Sequence, residues 1–79
     1  MKLSELHKDT VATVVAVEDQ MTGDTIARRL KELGFVEGER VVVRAMGPFG
    51  GDPMMVHIGD SRFAVRRTEA ARVKVEVAA

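Results

Sequence analysis

Cysteine, tryptophan and tyrosine are absent from this sequence, and its aromatic residues are three phenylalanines. Without cysteine there is no disulfide framework and no thiolate cage for a metal. With so few aromatics, the aromatic-walled groove that grips proline-rich peptides is excluded, and so is a stacking platform for nucleic acid. A charge excess is missing as well. Twelve basic residues balance twelve acidic ones, which is not the footprint of a general nucleic-acid binder. No apolar run approaches the length of a signal peptide core or a spanning helix, so no membrane insertion is expected and the expected location is the cytoplasm. Neither a phosphate-loop pattern nor a dinucleotide fingerprint occurs, so the chain is not expected to bind GTP itself. Ser61, His7 and the aspartates do not fall into a triad arrangement, and no enzymatic activity is expected.

What remains points to one small folded domain spanning residues 1–79, without repeats or linkers. Hydrophobic residues make up 46% of the chain, too many for disorder, and valine carries much of that fraction. Charge is uneven: residues 1–24 hold two basic and five acidic groups, and residues 25–79 hold ten and seven. A partly basic surface is therefore expected on the later part of the chain.

Leu3 and Leu6 read as an anchoring first turn or short strand, and Thr10 to Val17 as a strand. A helix of about three turns follows, capped by Thr22 or Asp24 and closed by Gly34. Its apolar stripe is Ile26, Leu30 and Leu33. Arg40 to Ala45 reads as a strand with Val41 and Val43 inward and Val42 outward, and Gly47 to Pro53 as a loop. Met54–Ile58 and Ser61–Val65 flank Gly59-Asp60, the signature of a two-residue hairpin. That register sets Ile58, Val56 and Met54 against Ser61, Phe63 and Val65 on one face. It sets His57 against Arg62 and Met55 against Ala64 on the other. A short helical turn capped by Thr68 and a last strand through Val73, Val75 and Val77 complete the chain. The reading is mainly β, a small antiparallel barrel of about five strands with one α-helix between the first two main strands. Ile26, Leu30, Leu33, Val41, Val43, Val56, Phe63, Val65, Val73 and Val75 are expected in its core.

Three stretches carry a family resemblance. Ile26-Ala-Arg-Arg-Leu-Lys-Glu-Leu-Gly34-Phe-Val-Glu-Gly38 runs into Val41-Val-Val. Pro48-Phe-Gly-Gly-Asp-Pro53 is similar to a Pro-x-Gly-Asp-Pro loop with one extra glycine. Phe63-Ala-Val-Arg-Arg67 is followed by Glu69-Ala70 and Val73-Lys-Val75. In this order and spacing they resemble the FeoA family across nearly the whole chain. The resemblance implies an SH3-like barrel and a cytosolic accessory role in ferrous iron uptake, bound to a cytosolic part of the GTPase-linked membrane transporter FeoB. It implies no required cofactor and no catalytic residues. Similar domains are fused to iron- and manganese-dependent repressors, but this chain carries no helix-turn-helix segment.

Two kinds of candidate site follow. Arg28, Arg29 and Lys31 on the helix, with Arg66 and Arg67 near the end of the hairpin, are candidates for meeting an acidic partner surface. The plainer reading of any one of them is solvated surface. Phe49 and Met55, with Met46, are candidates for an exposed apolar contact beside the proline loop, with local packing as the plainer reading. His7 and His57 are the two imidazoles. They are the candidate ligands of a weak or adventitious divalent metal such as zinc or iron, against the plainer reading of two surface histidines. The alternative function is a small metal-binding or metal-sensing domain without a transporter partner.

Overall fold

The computed structural model describes residues 1–78. A single 3-10 turn at Leu3–Glu5 leads into strand β1 (Val11–Val17), helix α1 (Thr25–Leu33), strands β2 (Arg40–Gly47), β3 (Gly51–Ile58) and β4 (Ser61–Val65), the short helix α2 (Arg67–Ala70) and strand β5 (Val73–Val77). The strands form one antiparallel sheet in the order β4-β3-β2-β1-β5. This is the expected five-stranded, mainly β architecture, with α1 between the first two strands.

Local chemistry accounts for the element ends. Asp24 is the N-cap of α1, and its Oδ1 accepts from the N–H groups of Ile26 and Ala27 at 3.1 and 3.2 Å. Thr22 takes no part in that cap. Gly34 ends the helix in the left-handed region at φ 115°, and its N–H donates to the carbonyls of Leu30 and Lys31. The β3–β4 hairpin has the anticipated register at every pair from Ile58↔Ser61 to Met54↔Val65. A one-residue slip would turn its apolar set towards water, so the alternation specifies the pairing.

The core gathers Leu3, Leu6, Val14, Leu30, Phe35, Val41, Val43, Met54, Val56, Val65, Val73 and Val75. Several expectations need correction. Ile26 is 36% exposed, and Leu33 and Phe63 are only half-buried. The helix stripe does reach the sheet, but Leu30 alone of the three sinks fully. Phe35, 1% exposed, occupies the centre instead, with its ring centroid 6.3 Å from that of Phe63. Val42 is buried although it alternates with two inward valines. β2 is the middle strand of the sheet, and Val42 lies between Val11 of β1 and His57 of β3, whose side chains flank it on that face. The segment 47–53 is less of a loop than expected, because β2 runs to Gly47 and β3 starts at Gly51. Thr68 does not cap α2. Arg66 is the N-cap, and its N–H donates to Glu69 Oε1 at 2.8 Å.

One buried ion pair fastens the helix to the sheet. Arg72 Nε donates to Asp24 Oδ2 at 2.7 Å, and Arg72 NH1 donates to the Thr68 carbonyl at 2.7 Å. The same Asp24 oxygen accepts from the Gln20 N–H at 2.9 Å. Glu18 N–H donates to the Arg72 carbonyl at 2.7 Å. The β1–α1 connection, the start of α1 and the α2–β5 junction therefore meet at one polar knot with no buried side-chain donor or acceptor left over among the described residues. The Gln20 N–H, and after it the Arg72 guanidinium, hold the Asp24 carboxyl down from 3.8 to about 2, against the opposing effect of burial.

Candidate functional site

The most exposed large apolar side chain is Phe49, at 81%. It sits at the tip between β2 and β3, and that tip is tied down. Phe49 N–H donates to the Asp52 carbonyl and Asp52 N–H to the Phe49 carbonyl, at 3.4 and 3.3 Å. Arg67 N–H donates to Asp52 Oδ1 at 3.0 Å and anchors the loop to the start of α2. Gly47 lets the two strands close: a Cβ there would lie 2.5 Å from the Asp52 carbonyl oxygen and 2.7 Å from the Pro53 nitrogen. Phe49 is thus an apolar group held out into water on a constrained turn. Met46 and Met55 are also exposed, whereas Met54 beside them is fully buried as the hairpin register requires. Met46, Met55 and Pro48 line one shallow apolar hollow with Pro53 and Ala64.

The arginines do not act as one cluster. Arg29 and Arg66 line a cleft of about 530 Å³ between α1 and β4, floored by Leu30 and Val65 and walled by Ile26, Leu33 and Phe63. Arg28 and Lys31 line a separate hollow with Asp19 and Gly23. The helical repeat explains this division, since neighbouring positions are turned about 100° apart and Arg28 and Arg29 leave the helix in different directions. Pro53 and Arg66 line both the α1–β4 cleft and the hollow beside Phe49, so these two run together. The structure thus joins Arg29, Arg66 and Phe49 along one surface, places Arg67 next to it at the start of α2, and sets Arg28 and Lys31 apart. The half-exposed Ile26, Leu33 and Phe63 contribute to that surface as well, although their periodicity reads as core. Their incomplete burial was not legible in sequence, because periodicity reports a shared face and not how closely the opposite element approaches.

The imidazoles do not form a metal centre. His7 is exposed after the first turn, and His57 is half-buried on β3 between Val42 and Arg62. Among the described residues no three His, Cys, Asp or Glu side chains come together as a ligand set. No helix among them is long and apolar enough to cross a membrane.

A model of the FeoA domain matches residues 1–77. The chain belongs to the FeoA family. It is 36% identical over 77 residues to the Fe(2+) transport protein A/Fe(2+) transporter FeoB fusion protein of Porphyromonas gingivalis; the match covers 98% of this chain and 9% of that one. The chain thus spans about a tenth of the length of the curated relative it matches. Among solved structures it is similar to zinc-complexed FeoA from Stenotrophomonas maltophilia, described as a prokaryotic SH3 domain protein. The TM-score there is 0.90 at 54% identity, over 96% of this chain and 89% of that one. It is also similar to FeoA from Chlorobium tepidum, with a TM-score of 0.85 and 35% identity over 100% of this chain and 71% of that one. The fold is therefore SH3-like. No catalytic motif occurs in its sequence.

Proposed function

We infer that this chain is an accessory protein of ferrous iron uptake that works as one FeoA-type domain, by binding the cytosolic portion of a FeoB-type transporter. One observation carries the reading. In the Porphyromonas gingivalis relative, a segment matching nearly all of this chain is part of the same polypeptide as FeoB. A covalent link keeps two partners at high effective concentration, and the surface of the domain is where they then meet. The exposed Phe49 on its tied turn shares a hollow with Arg66, Arg67 is bonded to the same turn, and Arg29 lines the cleft that runs on from it, an arrangement that suits an apolar anchor with a polar rim. The domain modulates transport by binding one conformation of the transporter more tightly than another.

The test is binding to the purified cytosolic portion of the transporter, with thermal melting as a folding control. Phe49→Ala is expected to speed dissociation and weaken binding by about thirtyfold, the effect of a hot-spot residue. Charge reversal at Arg28 and Arg29 together is expected to slow association and flatten its salt dependence. Because the two side chains line different hollows, reversing Arg29 alone should account for most of the effect. Binding that is unchanged in all these variants, with melting also unchanged, would remove this surface from the reading.

A second reading, a small metal-binding domain that acts without a transporter, is favoured by the zinc in the Stenotrophomonas maltophilia protein. The donor set argues against a resident ion, since among the described residues no three His, Cys, Asp or Glu side chains, with His7 and His57 or without them, gather as ligands. Calorimetry with Fe²⁺ and Zn²⁺ should give weak binding that a His7→Ala, His57→Ala double variant removes. A tight stoichiometric site on the monomer would favour the second reading.

A further inference from the structure

The sheet has two margins, and only one is covered. Beyond β5, Lys2 bridges Lys74, and the Val75 N–H donates to the Met1 carbonyl at 2.8 Å. Beyond β4 no strand or bridge follows among the described residues. The turn fixes which β4 groups face outward. Ile58 and Ser61 flank a two-residue loop and form a hydrogen-bonded pair, as do Val56 with Phe63 and Met54 with Val65. Arg62 and Ala64, at the alternate positions, turn their N–H and C=O groups away from β3. Among the described residues no hydrogen bond from another element reaches those groups.

Beside this open margin lies the cleft between α1 and β4. Ile26, Leu33 and Phe63 give it apolar walls, and Arg29 and Arg66 stand at its mouth together with Glu69, whose Oε1 accepts from the Arg66 N–H. Arg62 projects from the other face of β4, across from His57. The ion pairs among the described residues are Arg44–Asp9 and Arg72–Asp24, so all three of these arginines are without an acidic partner.

We propose that the β4 edge receives an added strand: an extended segment of a partner protein that alternates acidic with apolar side chains. This rests on the reading above that the domain works by binding a partner. The backbone of the segment pairs with Arg62 and Ala64. Its apolar side chains enter the cleft against Ile26, Leu33 and Phe63, and its carboxylates, on the alternate face, meet Arg62, while Arg29 and Arg66 at the mouth of the cleft add positive potential around it. The period of two in a strand delivers side chains to both places at once, which a helix lying in the cleft would not do. A second copy of this chain is the poorer occupant, because a two-fold contact sets the same arginine-rich edge against itself.

The probe is a short blocked peptide that alternates glutamate with valine and has leucine at its centre, added to the full chain and followed by NMR and amide exchange. Exchange of the Arg62 and Ala64 amides should slow about tenfold or more at saturation, as newly paired strand amides do. A peptide with lysine in place of glutamate should bind at least about tenfold more weakly. Ala64→Pro removes an outward N–H without removing a bond to β3 and should weaken binding about tenfold, the loss of one main-chain hydrogen bond. Should that variant fold poorly, the surface variant Arg29→Glu, Arg62→Glu, Arg66→Glu should reverse the preference and take the lysine peptide instead. The proposal is overturned if the glutamate peptide does not bind, if it binds while both amides exchange as before, or if the protein alone protects them in a concentration-dependent way. A parallel arm uses the cytosolic portion of a FeoB-type transporter. If it binds and leaves both amides exchanging freely, the strand-addition proposal falls and the accessory reading stands. If the peptide adds to β4 but the transporter portion does not bind, the accessory reading falls and the open edge stands.

Discussion

The two margins of the sheet are built from similar strands of five residues each, yet they meet solvent differently. β5 is overlaid by the first residues of the chain and backed by the fully buried Leu3 and Leu6. β4 has a helix beside it that does not close over it, and its inward residue Phe63 stays half-buried. An exposed strand edge is a standing invitation to pair, and proteins usually blunt it with charge or cover it. Here one margin is covered, and the other carries arginine at its outward-facing position 62. The comparison shows where the fold has been completed internally and where it leaves strand backbone open to solvent.

Breaking the shared floor beneath both margins should have the largest effect. Phe35 sits at the centre of the core and against Phe63, and Phe35→Ala should cost about 3–5 kcal/mol in chemical denaturation. Amides of β4 should lose exchange protection before those of β5. A matched pair of leucines sharpens the contrast. Leu3→Ala, behind the covered margin, and Leu30→Ala, flooring the open cleft, each fall in the range of about 2–5 kcal/mol. Leu3 is 0% exposed and Leu30 is 4% exposed and borders a space that water can enter, so Leu3→Ala should be the costlier of the two. The reverse order would mean that the covered margin can collapse around a cavity more readily than the open one.

Acid should reach both margins through the knot that holds α1. The folded-state pKa of Asp24 lies below its ordinary value, so the unfolded chain binds the proton more readily. The stabilisation is fully present above pH 3.8 and is lost as pH falls towards about 2. Melting temperature measured across that window should drop more steeply in the native protein than in Asp24→Asn, which keeps the cap geometry and cannot titrate. The variant should also be less stable at neutral pH, since the buried Arg72 guanidinium would keep its charge without a counter-charge. Equal acid slopes in the two proteins would show that Asp24 does not govern that window. The smallest stability effect belongs to Phe49→Ala. A side chain this exposed contributes little to folding, so stability should change by no more than about 0.5 kcal/mol while partner binding falls.

Much of this architecture was legible in the sequence. The β3–β4 register and the Gly34 stop follow from local rules acting within a few residues, the helix cap was narrowed to Thr22 or Asp24, and the motifs in order pointed to the family. The candidate surface was legible only in part. Phe49 had no assigned core position, but local packing stayed open as the plainer reading until the structure showed it exposed. The grouping of arginines did not follow, because Arg28 and Arg29 are adjacent in sequence and belong to different hollows in space. Arg72 gave no sign of its role. It stands just before β5, next to the buried Val73, and its partner Asp24 lies 48 positions away.

The sequence by itself determined the element order, the hairpin register and the balance of valine that makes this a β protein, since each depends on side-chain period and turn chemistry along the chain. Tertiary structure alone decided that Phe35 takes the centre while Phe63 borders a cleft, that Asp24 and Arg72 form one knot, and that β5 is covered while β4 is not. These outcomes depend on how far apart elements stand once the strands have twisted and packed. That separation is set by the summed volumes of side chains from distant positions, and no stretch of the sequence contains it.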